Sequence, residues 1–187
     1  QEYSVRDLGL ANSGNAAYAA DASTVFSNPA ALPQLDGRQL NAGLHGILGR
    51  GEFTDTGSTD ATGAPLSGGN GGDLFNDAII PNAYYAQPVG DGRFWFGIGL
   101  TAPFGLTTDY DNGWSGRYQT LESELTVIDI NPSLGFVVND WLSLGLGVSA
   151  QYASGQASGR VLLKGSPNQY STRVANRCLS NRVQADR

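Results

Sequence analysis

At 187 residues the chain can hold one domain with a sizeable core, and its 26 glycines, 10% aromatics, 15% charged residues and absence of methionine favour strands and turns over helices. No window supplies the roughly 18 to 20 apolar residues that a spanning helix needs, because the most apolar stretch, Phe94 to Leu106, is broken by glycines, Thr101 and Pro103; a helical membrane protein is excluded. The net charge of −6 is unevenly spread, with sixteen acidic and five basic residues in 1–159 against one and six in 160–187.

Residues 1–38 are dominated by small side chains, with a short helix expected after Ser13 and a stop at Asn28-Pro29, since proline disfavours helical geometry in the residue before it. The chain opens at Gln1 without a basic start and apolar run, so no signal peptide is expected in it. A first strand is expected at about 39–50, where Leu40, Ala42, Leu44, Gly46 and Leu48 alternate with the remaining residues. A long loop rich in Gly, Thr and Asp follows at 51–79, then a strand at about 80–88 and a short turn through Gly90-Asp91-Gly92. Phe94, Phe96, Ile98 and Leu100 define a third strand at about 93–103, and a second long loop covers 107–124.

Period-two alternation is cleanest in the last two strands, at about 125–138 and 141–157. Ile128, Ile130, Pro132, Leu134 and Phe136 oppose Asp129, Asn131, Ser133 and Gly135, and Leu142, Leu144, Leu146 and Val148 oppose Ser143, Gly145, Gly147 and Ser149. Asn139-Asp140 between them is a tight turn, which makes a hairpin. The last segment, 158–187, is basic, lacks strand alternation and is expected to be a truncated, out-of-frame or disordered end.

Connections that alternate long and short are the habit of outer-membrane barrels, which have long external loops and short periplasmic turns. Strands of about 10 to 14 residues also suit tilted bilayer spans better than the roughly 5 to 6 residues of soluble strands. Five strands cannot close a barrel, and an open edge in lipid leaves backbone groups unpaired at several kcal/mol each, so the chain is expected to be the N-terminal portion of a larger all-β barrel. The competing architecture is a secreted soluble β-sandwich serving as a binding or adhesion module. It differs in one respect, because its alternating apolar faces turn inward.

Ala20-Asp-Ala-Ser-Thr-Val-Phe-Ser-Asn-Pro-Ala-Ala-Leu32 closely resembles the N-terminal hatch of the FadL/TodX family of outer-membrane transporters for long-chain fatty acids and other hydrophobic compounds. The similarity continues through Ala102-Pro-Phe-Gly-Leu-Thr-Thr-Asp-Tyr-Asp111, Trp114-Ser-Gly-Arg-Tyr118, Leu121-Glu-Ser-Glu-Leu125 and Ile130-Asn-Pro-Ser-Leu134, over about residues 5–157. It implies a transmembrane antiparallel β-barrel, 14-stranded in the family, with a hatch at 1–38 plugging the barrel from the periplasmic side and barrel strands at 39–157. Asn28, Pro29 and Ala30 match the family's hatch motif. Pro103, Phe104 and Gly105 match an inward kink of the third strand that opens a gap in the wall, through which an apolar ligand leaves sideways into the bilayer. Taken without the resemblance, the first triplet is an ordinary helix stop and the second ends a strand before a loop.

The resemblance further implies a Gram-negative outer-membrane location, passive uptake of a fatty acid or aromatic hydrocarbon, contact with outer-membrane lipid, and a monomer without cofactor, metal or nucleic-acid partner. Catalytic constellations fail one by one. His45 is the only histidine and has no second imidazole for zinc, and it is expected to be an interior or structural residue. Asp109-Tyr-Asp111-Asn112-Gly113 places glycine where a calcium loop wants an oxygen ligand, and a turn is expected. Gly68-Gly-Asn-Gly-Gly72 lacks the Lys-Ser/Thr of a phosphate loop and is expected to be a flexible external loop, while Glu122 and Glu124 have no cleft to work in. No enzyme is expected.

Overall fold

The structure, a computed structural model, describes residues 4–60 and 62–160 and the backbone of 161–162, 170–171 and 176–186, with Leu106 described by its backbone alone. Two short helices, α1 (Val5–Gly9) and α2 (Thr24–Ser27), and a 3-10 turn (Pro29–Gln34) precede five long strands: β1 (Gln39–Ile47), β2 (Ala78–Val89), β3 (Phe94–Asp109), β4 (Glu122–Asn139) and β5 (Leu142–Ser158). Beyond them lie β6 (Val161–Leu162) and β7 (Tyr170–Ser171), which pair with each other, and β8 (Asn176–Asp186). The main sheet is antiparallel in the order β1-β2-β3-β4-β5-β8 and is not closed.

The expected strands appear with shifted bounds: β1 stops at Ile47, short of the expected 50, whereas β2, β3 and β4 run longer. β3 does not end at 103 but continues through Pro103-Phe104-Gly105 to Asp109. The sheet also holds six strands rather than five, because the backbone of Asn176–Asp186 pairs with β5 from Gly147↔Asp186 to Ala157↔Asn176. Backbone pairing needs no alternation of side chains, which is why this strand has no sequence signature. Residues 163–169, 172–175 and 187 of the segment expected to be a truncated or disordered end lie outside the described residues.

Facing is inverted relative to a soluble protein. Along β4 the buried positions are Val127, Asp129, Asn131, Ser133 and Gly135, and the exposed ones are Ile128, Ile130, Pro132 and Leu134. Leu40, Leu44, Ile79, Leu134 and Leu146 all stand more than half exposed, whereas Asp129 and Ser133 are at 0% and 2%. Apolar residues outward and small polar ones inward is the pattern of a wall facing lipid, and it disposes of the sandwich. The turns match their chemistry: Gly90 and Gly92 take positive φ between β2 and β3, and the Asn139 side chain accepts from Trp141 N at 3.1 Å between β4 and β5.

The N-terminal segment, the part matched to the family's hatch, packs against the inner face of the sheet. Val25, Leu32, Ala22 and Ala31, all at 2% exposure or less, form a core with Tyr84, Ala86 and Trp95 of the wall. Glycines make room for it, since a Cβ on Gly97 would run into Val25 Cγ2 and one on Gly135 would sit 2.8 Å from the Pro29 carbonyl oxygen. These glycines lie near the short-turn end of the sheet, so the hatch and the long loops occupy opposite ends.

The long loops are docked on each other rather than loose. Gly69 N donates to the Gly113 carbonyl at 3.0 Å, Ser115 N donates back to Gly69 O at 3.0 Å, and Asp111 N donates to Gly71 O at 3.0 Å. The glycine run expected to be a flexible loop is therefore an edge of this junction. Trp114 is its centre, stacked on Tyr110 at 3.9 Å between centroids and met edge-on by Phe53 at 5.2 Å.

Candidate functional site

Asn28, Pro29 and Ala30 form a clip between the hatch and the wall. Asn28 N closes α2 by donating to Thr24 O at 2.9 Å, and its Oδ1 accepts from Ala30 N at 3.2 Å to start the next turn. Its Nδ2 reaches back to the Ala16 carbonyl at 2.7 Å, tying down the preceding segment. Pro29 opens the 3-10 turn, where a missing N–H costs nothing. All three residues line a small cleft of about 240 Å³ with Asn131, Gly145 and Gly147 of the wall. The triplet is a helix stop, as its residues alone indicate, and it is also the point at which the hatch meets β4 and β5.

A polar chain continues from this contact along the inner face. Ser133 Oγ donates to the Val25 carbonyl of the hatch at 3.0 Å and lies 2.9 Å from Asn131 Oδ1. Asn131 Nδ2 donates to Ser149 Oγ at 3.1 Å, and Ser149 Oγ donates to Asp129 Oδ2 at 3.2 Å. Asp129 is paired across the ladder with Thr101, and Asp129 Oδ1 and Thr101 Oγ1, both buried, have no hydrogen-bond partner among the described residues.

Immediately above Thr101 the wall changes. The β3–β4 register runs regularly to Thr101↔Asp129 and resumes at Phe104↔Val127, so Ala102-Pro103 occupies the space of one residue and forms a bulge. The extra residue inverts the facing of β3. Leu100 opposes the exposed Ile130, whereas Phe104 opposes Val127, which is 6% exposed on the inner side.

On its other side β3 parts from β2. That ladder extends from Val89↔Phe94 to Ala83↔Leu100 and stops there. Contact returns only at the Phe75↔Thr108 bridge, where Asp109 N donates to Leu74 O at 3.1 Å. The seam between is an unpaired gap bounded by the ladder below and the bridge above, with a void of about 520 Å³ lined by Ala78, Ile79, Ile80, Ala102, Phe104 and Gly105 among others. Both the exposed Ile79 and the buried Ile80 contribute to its lining.

Of the three residues matched to the kink, Phe104 and Gly105 line the void and Pro103 sits buried in the bulge beside it. The irregularity of β3 lies at Ala102-Pro103, whereas Gly105 pairs regularly with Thr126 and a Cβ on it would meet nothing within 4 Å. The β2 side of the gap, Ala78 to Ile80, carries no mark in the sequence, because it pairs with β1 like ordinary strand and only its pairing with β3 is missing. His45 is buried and meets Asn82 Nδ2 at 2.7 Å through Nε2, an interior position as expected. Among the described residues no group of three His, Cys, Asp or Glu side chains could hold a metal.

The external loops add a second cavity, of about 550 Å³, between Phe53, Leu66, Trp114 and Tyr118, with Asp60 and Gln119 also in its lining. The Asp60 carboxyl is held below its ordinary value of 3.8 by the Thr62 hydroxyl and by the Ala64 and Thr62 amides. Asp55 is lowered likewise by the Ser58 hydroxyl and amide and by the Gly57 amide.

The sequence profile of the outer membrane protein transport proteins, the OMPP1/FadL/TodX family, matches residues 1–185. The chain belongs to this family. Outer membrane protein P1 of Haemophilus influenzae is 32% identical over 164 residues, covering 83% of this chain and 36% of that protein. The long-chain fatty acid transport protein of Escherichia coli K12 is 30% identical over 152 residues, covering 81% and 32%. A Pseudomonas aeruginosa FadL homologue of known crystal structure superimposes with a TM-score of 0.68 at 27% identity, over 92% of this chain and 44% of that one. The chain thus spans about a third of the length of the curated relatives, and its open sheet corresponds to part of the FadL barrel of the Gram-negative outer membrane. The family profile reaches well past residue 157, where the likeness read from the residues stops.

Proposed function

We propose that this FadL-family protein mediates passive uptake of long-chain fatty acids or other hydrophobic compounds, which leave the lumen sideways through the window between β2 and β3. The observation that carries this reading is the interruption of the β2–β3 ladder between Ala83↔Leu100 and Phe75↔Thr108, with an apolar void inside it. An uninterrupted ladder would bar any side exit, because backbone groups in lipid must be paired. Transfer of apolar surface from water to lipid supplies the driving force, at about 25 cal/mol per Å². No cofactor or second protein is needed, and the barrel acts as a monomer in contact with outer-membrane lipid.

Hatch rearrangement gates this path. The polar chain from Val25 through Ser133, Asn131 and Ser149 to Asp129 supports that role, since it joins the hatch to the foot of the window. Displacing α2 removes the acceptor of Ser133 and loosens the row that ends at Asp129, opposite Thr101 in the ladder.

Deleting Pro103 tests the exit route. It removes the bulge, restores a donor N–H and keeps the pairing above, because Ala102 would then oppose Ile128 and Phe104 would still oppose Val127. The deletion variant should insert normally and take up radiolabelled fatty acid at least tenfold more slowly than the parent at equal surface amount. Parental uptake by a variant shown structurally to have a closed seam would overturn lateral exit and favour passage straight through the lumen.

A further inference from the structure

The cavity between the external loops has an electrostatic character that bears on which hydrophobic molecules are taken. Its floor is aromatic and aliphatic, built from Phe53, Leu66, Trp114 and Tyr118, and its volume of about 550 Å³ falls within the range of small-molecule sites. Residues 51–77 carry five acids, Glu52, Asp55, Asp60, Asp73 and Asp77, and no base. Arg50 balances two of them, Asp73 at 3.5 Å and Asp77 at 3.0 Å, on the window side of the loop. The one cation of the second loop, Arg117, is buried at 6% and committed elsewhere, donating to Ser67 O at 2.6 Å and Trp114 O at 2.9 Å with its guanidinium over the Tyr118 ring.

That leaves Asp60 as the ionised group in the cavity wall. Its Oδ1 accepts from Thr62 N at 2.8 Å, Thr62 Oγ1 at 2.7 Å and Ala64 N at 3.0 Å, so the side chain is pinned in its turn and cannot swing away from an incoming ligand. The acids of the two loops outnumber their bases, so an apolar pocket edged by this fixed negative charge penalises a ligand that brings a carboxylate. Specificity of this kind comes from a repulsive element as much as from an attractive one.

From this arrangement we propose that the Phe53–Trp114–Tyr118 cavity captures uncharged apolar molecules, and that Asp60 discriminates there against carboxylate-bearing ones. The inference rests on the uptake reading above and narrows its substrate class. Ligands of this class are long-chain alcohols, esters and hydrocarbons, whose apolar bodies fill the pocket without a charge at its rim.

The test is saturable binding of radiolabelled dodecanol and dodecanoate at pH 7.4 to outer-membrane vesicles that contain the protein, corrected with vesicles lacking it. Dodecanol should bind at least about fivefold more tightly, as expected for one like-charge contact near 4 Å in water. Asp60→Asn keeps the oxygen that accepts the turn's hydrogen bonds, and it should raise dodecanoate affinity about fivefold and leave dodecanol unchanged. Leu66→Trp fills the cavity and should abolish saturable dodecanol binding. Equal affinities in the parent, no gain for dodecanoate in Asp60→Asn, or undiminished dodecanol binding in Leu66→Trp would each overturn the inference. Uptake by producing cells separates this failure from failure of the transport reading: entry of both compounds at equal rates sinks only the discrimination, whereas entry of neither sinks uptake itself.

Discussion

Gly145 of β5 lies directly against Ala30 of the hatch, so closely that a Cβ on the glycine would run into the Ala30 amide nitrogen. The contact explains why the patch under the 3-10 turn is built from Ser133, Gly135, Gly145 and Gly147 and why that turn is built from proline and alanine. Both surfaces must be flat for backbone to meet backbone.

Gly145→Val should therefore unseat the hatch while leaving the outward face intact. Overpacking of this kind costs about 1–3 kcal/mol, enough to raise the open population of a locally docked segment by about one to two orders of magnitude. The expected result is faster proteolytic cleavage within residues 10–20 and an unchanged heat-modifiable barrel band on gels. Unchanged cleavage would mean that the hatch is held by its core residues alone.

Lipid-facing assignment is checked on one strand. Leu146 pairs with Leu134, both more than half exposed on the outer face, whereas Ser143 belongs to the opposite face. Leu146→Arg should impair insertion, since arginine near the bilayer midplane costs about 2–4 kcal/mol, and Ser143→Arg should be milder. Equal losses, measured as the folded fraction in outer membranes, would contradict the facing.

Much of this wall is legible in the sequence because lipid and lumen impose opposite demands on alternate residues, and Ile128 to Leu134 records both. In the N-terminal segment only the stop at Asn28-Pro29 is legible from the residues, for α2 and the 3-10 turn are too short to carry a period. Pro103 marks the bulge, yet its residue type does not reveal that β3 continues to Asp109 or that Phe104 pairs opposite Val127, since register belongs to two strands at once. Docking of Gly69 on Gly113 is likewise invisible, because glycines at a close approach look the same in sequence as glycines in a mobile loop.

The external turns have a defined pH response. Asp55 and Asp60 have folded values depressed below 3.8, so the order they contribute is fully present above about pH 4 and is lost as pH falls through the depressed values. Both carboxylates are exposed, and the effect is confined to the loop. Protease sensitivity of residues 51–77 should stay flat from pH 8 to 5 and rise only below about pH 4. A rise between pH 7 and 5 would point to a different titrating group.

Trp114 is the aromatic centre of the junction between the two long loops, and its loss separates their order from that of the strands. The indole is 5% exposed, stacked on Tyr110, edged by Phe53, and donates through Nε1 to Thr120 O at 2.9 Å. Truncating a buried tryptophan to alanine costs about 3–5 kcal/mol. Here the cost falls on the junction, because the β2 and β3 ladders below it draw their pairing from other residues. Trp114→Ala should leave the barrel band unchanged and raise cleavage of residues 51–77 by at least about 10²-fold, as an opening made about 3 kcal/mol easier requires when opening precedes cleavage. Trp114→Phe keeps the ring contacts but loses the bond to Thr120 O, worth about 0.5–1.5 kcal/mol, and should fall between. If Trp114→Ala instead dissolves the barrel band, the junction is part of the wall's own stability and the loops are not an independent layer.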